Sequence, residues 1–70
     1  MQVKIEDNEL APRIMEGDTA LIDSRAVRPG DLVILKDGSG RYVCRKAPEY
    51  RNVRQPAVLI GRVKEIRATF

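Results

Sequence analysis

Histidine and tryptophan are absent from this chain of 70 residues, and cysteine and phenylalanine occur once each, as Cys44 and Phe70. Without histidine, a serine or cysteine nucleophile has lost its commonest base. One cysteine and no histidine cannot assemble a zinc site. A lone cysteine also closes no internal disulfide, which excludes the disulfide-stapled scaffolds of small secreted proteins. No apolar run is longer than a few residues, so the sequence predicts neither a transmembrane helix nor a signal sequence. These absences predict a cytoplasmic protein with no metal, no cofactor and no membrane attachment.

Aromatic residues are scarce as well: Tyr42 and Tyr50 complete the set with Phe70. Single-stranded nucleic acid is usually held by several exposed aromatic platforms. Here Tyr42, between Arg41 and Arg45, is the one candidate, and its alternative is packing across a hairpin. No helix-turn-helix pattern is present, so DNA would be read only through a separate DNA-binding domain if one exists. The carboxylates Glu16, Asp18 and Asp31 lack the spaced oxygen ligands of a calcium loop and read as turn formers. Gly38-x-Gly40 is a hairpin tip and not a phosphate loop, since no helix follows it.

Seventy residues make one small domain, below the usual size of about 100–150 residues. A chain this short buries only about 60% of its unfolded surface, so its core is thin. Thirteen basic residues outweigh ten acidic ones, giving a net charge of +3. Much of the positive charge falls in the second half, where Arg41, Arg45, Lys46 and Arg62 are candidate contacts for an anionic partner. A solvated strand face would present the same pattern.

Two Gly-Asp pairs, Gly17-Asp18 and Gly30-Asp31, each precede an apolar run. Glycine adopts positive φ without steric cost, and aspartate hydrogen-bonds nearby backbone, so each pair reads as a turn that launches a strand. The alternation of Val3 and Ile5 predicts a half-buried strand over 3–7, with strands following over 19–23 and 32–36. The last of these is apolar on both faces, which marks it as central. A single helical turn is compatible with 12–15, with Ile14 as inward anchor. Asp37-Gly38-Ser39-Gly40 is a hairpin signal, with Asp-Gly supplying the positive φ of a tight turn. A returning strand over 41–46 would place Tyr42 and Cys44 on one face and Arg41, Val43 and Arg45 on the other. Residues 47–56 hold two prolines and three charges and read as a loop; 57–61 is an apolar run of strand length, and 58–67 is taken as a final strand, with the loose helical spacing of Val63, Ile66 and Phe70 as the alternative from Arg62 onward.

The order Leu10-x-Pro12-x-Ile14-x-x-Gly17-Asp18, then Pro29-Gly30-Asp31-Leu32-Val33, then Leu59-Ile60-Gly61-Arg62-Val63 resembles the C-terminal domain of LexA- and UmuD-type proteins and phage repressors. The resemblance runs from about Val3 to Ile66. It implies a mainly β, small, coiled, barrel-like domain of the LexA/signal-peptidase type, here shortened around 47–56. Most such proteins are Ser–Lys peptidases, but the serine position falls on Glu9 and the lysine position on Cys44, so the resemblance implies a peptidase-inactive domain. Cys44 as a substitute nucleophile would need an electropositive, accessible site; a small apolar residue packed inside is the alternative.

The resemblance further implies a repressor-type module that holds subunits together as a homodimer or higher homo-oligomer in transcriptional regulation. Leu59, Ile60, Val63, Ile66 and Phe70 are the residues expected to line the self-association surface, with ordinary core as the alternative. A reading of another class is a stand-alone basic β-barrel that binds nucleic acid or an acidic protein.

Overall fold

A computed structural model of the chain describes residues 1–68. Five strands appear in it: β1 (Gln2–Lys4), β2 (Thr19–Asp23), β3 (Leu32–Lys36), β4 (Tyr42–Lys46) and β5 (Val58–Arg67). They form one antiparallel sheet in the order β1-β2-β5-β3-β4. The sheet is curled into a half-barrel, and no helix occurs among the described residues. The expected mainly β, barrel-like class is therefore the one observed.

Strand β5 sits in the middle and explains the curl. It pairs with β2 through its residues 62–67 and with β3 through 58–62. In each ladder one residue of β5 is skipped: Lys64 opposite Leu21/Ile22, and Ile60 opposite Ile34/Leu35. Each skip is a β-bulge, which bends a strand and increases its twist. Gly61, between the two bulges, keeps the crossing close, since a Cβ there would lie 2.5 Å from the Ile22 Cγ2 methyl. The strand predicted to be central, β3, is interior but lies beside β5, which occupies the middle.

The two Gly-Asp units fold alike. Gly17 has φ +96° and Gly30 φ +94°. In both, the aspartate N–H donates to the carbonyl three residues back (Asp18 to Met15, Asp31 to Arg28, each 3.0 Å). The aspartate Oδ2 then accepts the N–H of that same residue, at 3.0 Å from Met15 and 2.9 Å from Arg28. Positive φ at the third position of a hydrogen-bonded turn requires glycine, and Pro29 fits the second position. The Asp37 hairpin differs from expectation. The positive φ falls on Gly40 (+83°) instead of Gly38, as in a three-residue loop that ends in a left-handed residue. Asp37 Oδ1 accepts the N–H groups of Ser39 and Arg41.

Apolar side chains divide into two clusters. Val3, Ile5, Ile14, Ala20, Ile34 and Cys44 fill the concave side, with Leu10, Ile22, Leu32, Tyr42, Ile60, Val63 and Ile66 packed around them. Val33, Leu35, Val43 and Ala47 form a second cluster on the other face of the β3–β4 hairpin, covered by Val27 and Val53 from the long connections. The hairpin is thus buried on both sides.

Two local expectations change. The first strand stops at Lys4 instead of running to residue 7, because the chain then leaves β2 and crosses to β4. Ile5 donates to the Asp18 carbonyl, and Glu6 to the Tyr42 carbonyl, both at 2.8 Å. Residues 9–13 are turns, with one helix-like bond from the Ile14 N–H to the Leu10 carbonyl at 3.3 Å.

Gly38 is constrained by space instead of by φ. Its N–H donates to the Arg54 carbonyl at 2.6 Å, and an added Cβ would lie 2.8 Å from the Gln55 carbonyl carbon. A backbone obstacle cannot rotate away. Gly38→Ala is therefore expected to lower stability by about 1–3 kcal/mol, the usual cost of overpacking, read as a shift in the urea midpoint at unchanged m.

Candidate functional site

Glu9 and Cys44, the positions where the resemblance would place a peptidase dyad, lie in different environments. Glu9 lies in the exposed turn before Pro12, and its Oε1 accepts an N–H of the Asn52 side chain at 2.9 Å. Cys44 points from β4 into the concave core, where it is buried. Burial, and secondarily the Asp7 carboxylate, push its thiol from an ordinary value of 9.0 up to about 11, with Arg45 opposing. A thiol held protonated in this way is a poor nucleophile, and the core reading of Cys44 is the one the structure shows. Ser24 and Ser39 lie in exposed connections, where Ser39 Oγ donates to Asp37 at 2.6 Å. No group of three or more metal-ligating side chains occurs among the described residues, and no helix there is long and apolar enough to cross a membrane.

The four basic residues expected to meet an anionic partner do not form one surface. Arg45 shares the Val43 face of β4, as alternation predicts, but that face is covered and its side chain is only 3% exposed. Its Nη1 pairs with Asp7 Oδ2 at 2.6 Å and reaches the Cys44 carbonyl at 2.8 Å. Its Nε donates to the Arg51 carbonyl at 2.5 Å and Nη2 to the Asn52 carbonyl at 3.0 Å. The anion-contact expectation for Arg45 is corrected: the group is a buried tie between β4, residue 7 and the long connection.

Arg62 is also occupied. Its Nε and Nη2 bind Asp23 Oδ1 and Oδ2 at 3.1 and 2.6 Å, a two-pronged pair across the β2–β5 ladder. The Arg62 hydrogen bond draws the Asp23 carboxyl below its ordinary value of 3.8. The pair consequently contributes most above that value and is lost on acidification. Arg41 donates to the Glu6 carbonyl. Lys46 alone of the four is exposed without a partner among the described residues. Tyr42 is half-buried against the concave core, with the Lys36 ammonium 5.7 Å from its ring centroid. It packs against the core and beside Lys36 of the paired strand, leaving part of the ring accessible.

The proposed self-association residues separate as well. Ile60, Val63 and Ile66 are half-buried and pack against the concave core, so each offers only part of its surface to a partner. Leu59 is exposed, at 47%, and its neighbour Val58, which the pattern did not single out, is 61% exposed. Phe70 lies outside the described residues.

Hollows mark the described surface. One of ≈ 520 Å³ lies between Glu9 and the Lys46–Arg51 segment. Another of ≈ 450 Å³ opens beside Ile14, Leu32 and Ile66. A third, ≈ 400 Å³, is walled by Arg25, Arg28, Asp31 and Arg62. Sequence reasoning missed Asp7, Arg13, Arg25 and Arg28. Asp7 carried only a turn signal, and nothing local points to a partner 38 residues away. Comparison with protein-family models, with curated proteins and with solved structures found no match to this chain.

Removing one member of a buried ion pair leaves the other charge uncompensated, at a cost of about 3–5 kcal/mol. Asp7→Ala should destabilise on that scale, and Asp7→Ala combined with Arg45→Met should recover a substantial part, measured by urea denaturation. For Cys44, a folded value raised above the unfolded one adds stability that is complete below pH 9 and declines as pH rises toward 11. Cys44→Ala should flatten that alkaline slope. The native thiol should also resist alkylation at pH 8 until denaturant is added.

Proposed function

We propose that the chain is a non-catalytic assembly module that self-associates through the free edge of β5. In a repressor-type regulator it would hold two subunits together, so that separately carried DNA-binding domains act as a pair. The observation that supports this reading is the overhang of β5. Strand β2 ends opposite Arg62, so residues 58–61 pair with β3 on one side and with no strand on the other among the described residues. Side chains Val58 and Leu59 are exposed there, and no charge occurs between Arg54 and Arg62.

Exposed strand edges are normally blunted by charge, proline or cover, because they pair readily with other chains. Two copies of one edge, laid antiparallel, generate a two-fold axis and a closed dimer in which each residue meets its symmetry mate's counterpart. The contact is short. Stable interfaces bury about 1,200–2,000 Å², so this edge alone gives a weak, concentration-dependent dimer. Its effect grows when linked DNA-binding domains add avidity. The resemblance of the Gly-Asp units and of the last strand to repressor C-terminal domains supports the regulatory setting.

Light scattering over a protein dilution series should show a monomer–dimer equilibrium that high salt does not abolish, since the contact is apolar. Leu59→Lys should give a folded monomer. Ile66→Lys should instead reduce stability, because Ile66 packs on the core. A strict monomer at every concentration, or a Leu59→Lys variant that still dimerises, would overturn the reading.

A further inference from the structure

The hollow beside β5's C-terminal half has a composition unlike the other two. Its walls are Leu10, Ile14, Leu32 and Ile66, with Arg13 and Lys46 at the rim and Gly30 at one side. Four aliphatic side chains and two cations line it, with no carboxylate among them. Asp31, between Gly30 and Leu32 in sequence, walls the cleft with Arg25, Arg28 and Arg62, and its Oδ2 holds the Arg28 N–H; Glu9 and Glu49 line the neighbouring hollow that shares Leu10 and Lys46. Neither Arg13 nor Lys46 has an ion-pair partner among the described residues. What distinguishes these two cations is their place: both line a hollow whose other side chains are aliphatic.

We propose that this hollow binds a small alkyl carboxylate, with the hydrocarbon tail against Leu10, Ile14, Leu32 and Ile66 and the carboxylate between Arg13 and Lys46. Small-ligand sites are mainly apolar, with a few convergent polar groups that fix orientation, and occupy about 300–1,000 Å³. At ≈ 450 Å³ the hollow is at the lower end of that range, which suits a single medium-length chain. Charge sets the polarity of the ligand. A cationic head would meet two like charges, and a neutral alcohol would leave both cations unmatched. The site is independent of the self-association edge, since Ile66 and Leu59 stand near opposite ends of β5.

The structure around the hollow supports a preformed site. Ile14 is buried in the concave cluster, and Leu10, Leu32 and Ile66 pack against it. Lys46 ends β4 and Arg13 lies in the turn after Pro12. The walls are thus fixed by three separate parts of the fold, and ligand entry orders little beyond the two cationic side chains.

Titration of the full chain with butyrate, hexanoate and octanoate, followed by calorimetry and by amide chemical shifts, tests the proposal. Affinity should rise with chain length, by up to about fourfold per methylene where the tail is fully buried. Shifts should centre on residues 10–14, 30–32, 46 and 66. Octylamine and octanol should bind far more weakly than octanoate. Arg13→Gln with Lys46→Gln, both at exposed positions, should weaken octanoate at least about tenfold, or about 1.4 kcal/mol, without lowering the urea midpoint. Absence of saturable octanoate binding would overturn the proposal. So would equal binding of octylamine, unchanged affinity in the double variant, or shifts centred on Val58 and Leu59. The measurement repeated on Leu59→Lys separates this site from the assembly edge, because a monomeric variant should bind octanoate as the parent does.

Discussion

A guanidinium cannot be taken out of water unless its protons are received, and Arg45 meets that condition with four hydrogen bonds from three parts of the chain. Asp7 supplies the countercharge, Cys44 one carbonyl, and Arg51 and Asn52 the other two. Each partner is thereby fixed relative to β4. Residue 7 draws the chain end across from β2, so that Glu6 bonds Tyr42 and spans the two sheet edges. Residues 51 and 52 draw the long connection over the outer face of the hairpin, where Val53 covers the second cluster. A buried ion pair is weak grounds for net stability in itself, because desolvation offsets much of the attraction. Its consequence here is geometric: one polar centre decides where two otherwise unstructured segments lie.

This arrangement also answers the problem of size. A chain of 70 residues has too little apolar side chain for a thick core. The fold spreads what it has over both faces of the β3–β4 hairpin. The sheet's curl encloses the concave cluster, and the long connections cover the convex one. Curling depends on the bulges at Ile60 and Lys64, which let a single ten-residue strand serve β3 with one half and β2 with the other. The same division leaves residues 58–61 without a second neighbouring strand among the described residues. The exposed edge is therefore a by-product of how the sheet is bent, and the proposed assembly role rests on it.

Composition and pairing both shape the charged surface. A net charge of +3 gives the chain a basic character, yet four of its arginines are bound to carboxylates within the fold. Nine of the thirteen basic residues have no ion pair among the described residues, and of these Arg13 and Lys46 line an otherwise apolar hollow.

Local chemistry in the sequence was enough for several strands and turns. The apolar runs after the Gly-Asp pairs located β2 and β3 to the residue, and the pairs located their turns, because these depend on side-chain chemistry and φ preferences within a few residues. The strand over 58–67, where helical spacing also fitted, and the barrel-like class rested on the family resemblance. Only the tertiary structure decided which faces are covered. Alternation assigned Arg45 and Val43 correctly to one face of β4, but whether that face meets water depends on a loop some ten residues away and on Asp7, 38 residues away. Similarly, Ile60, Val63 and Ile66 were expected at an interface with ordinary core as the alternative, and the curl of β5 packs them half-buried against the core while leaving Val58 and Leu59 exposed. Sequence period fixes direction relative to a strand; burial depends on what long-range packing brings to that side.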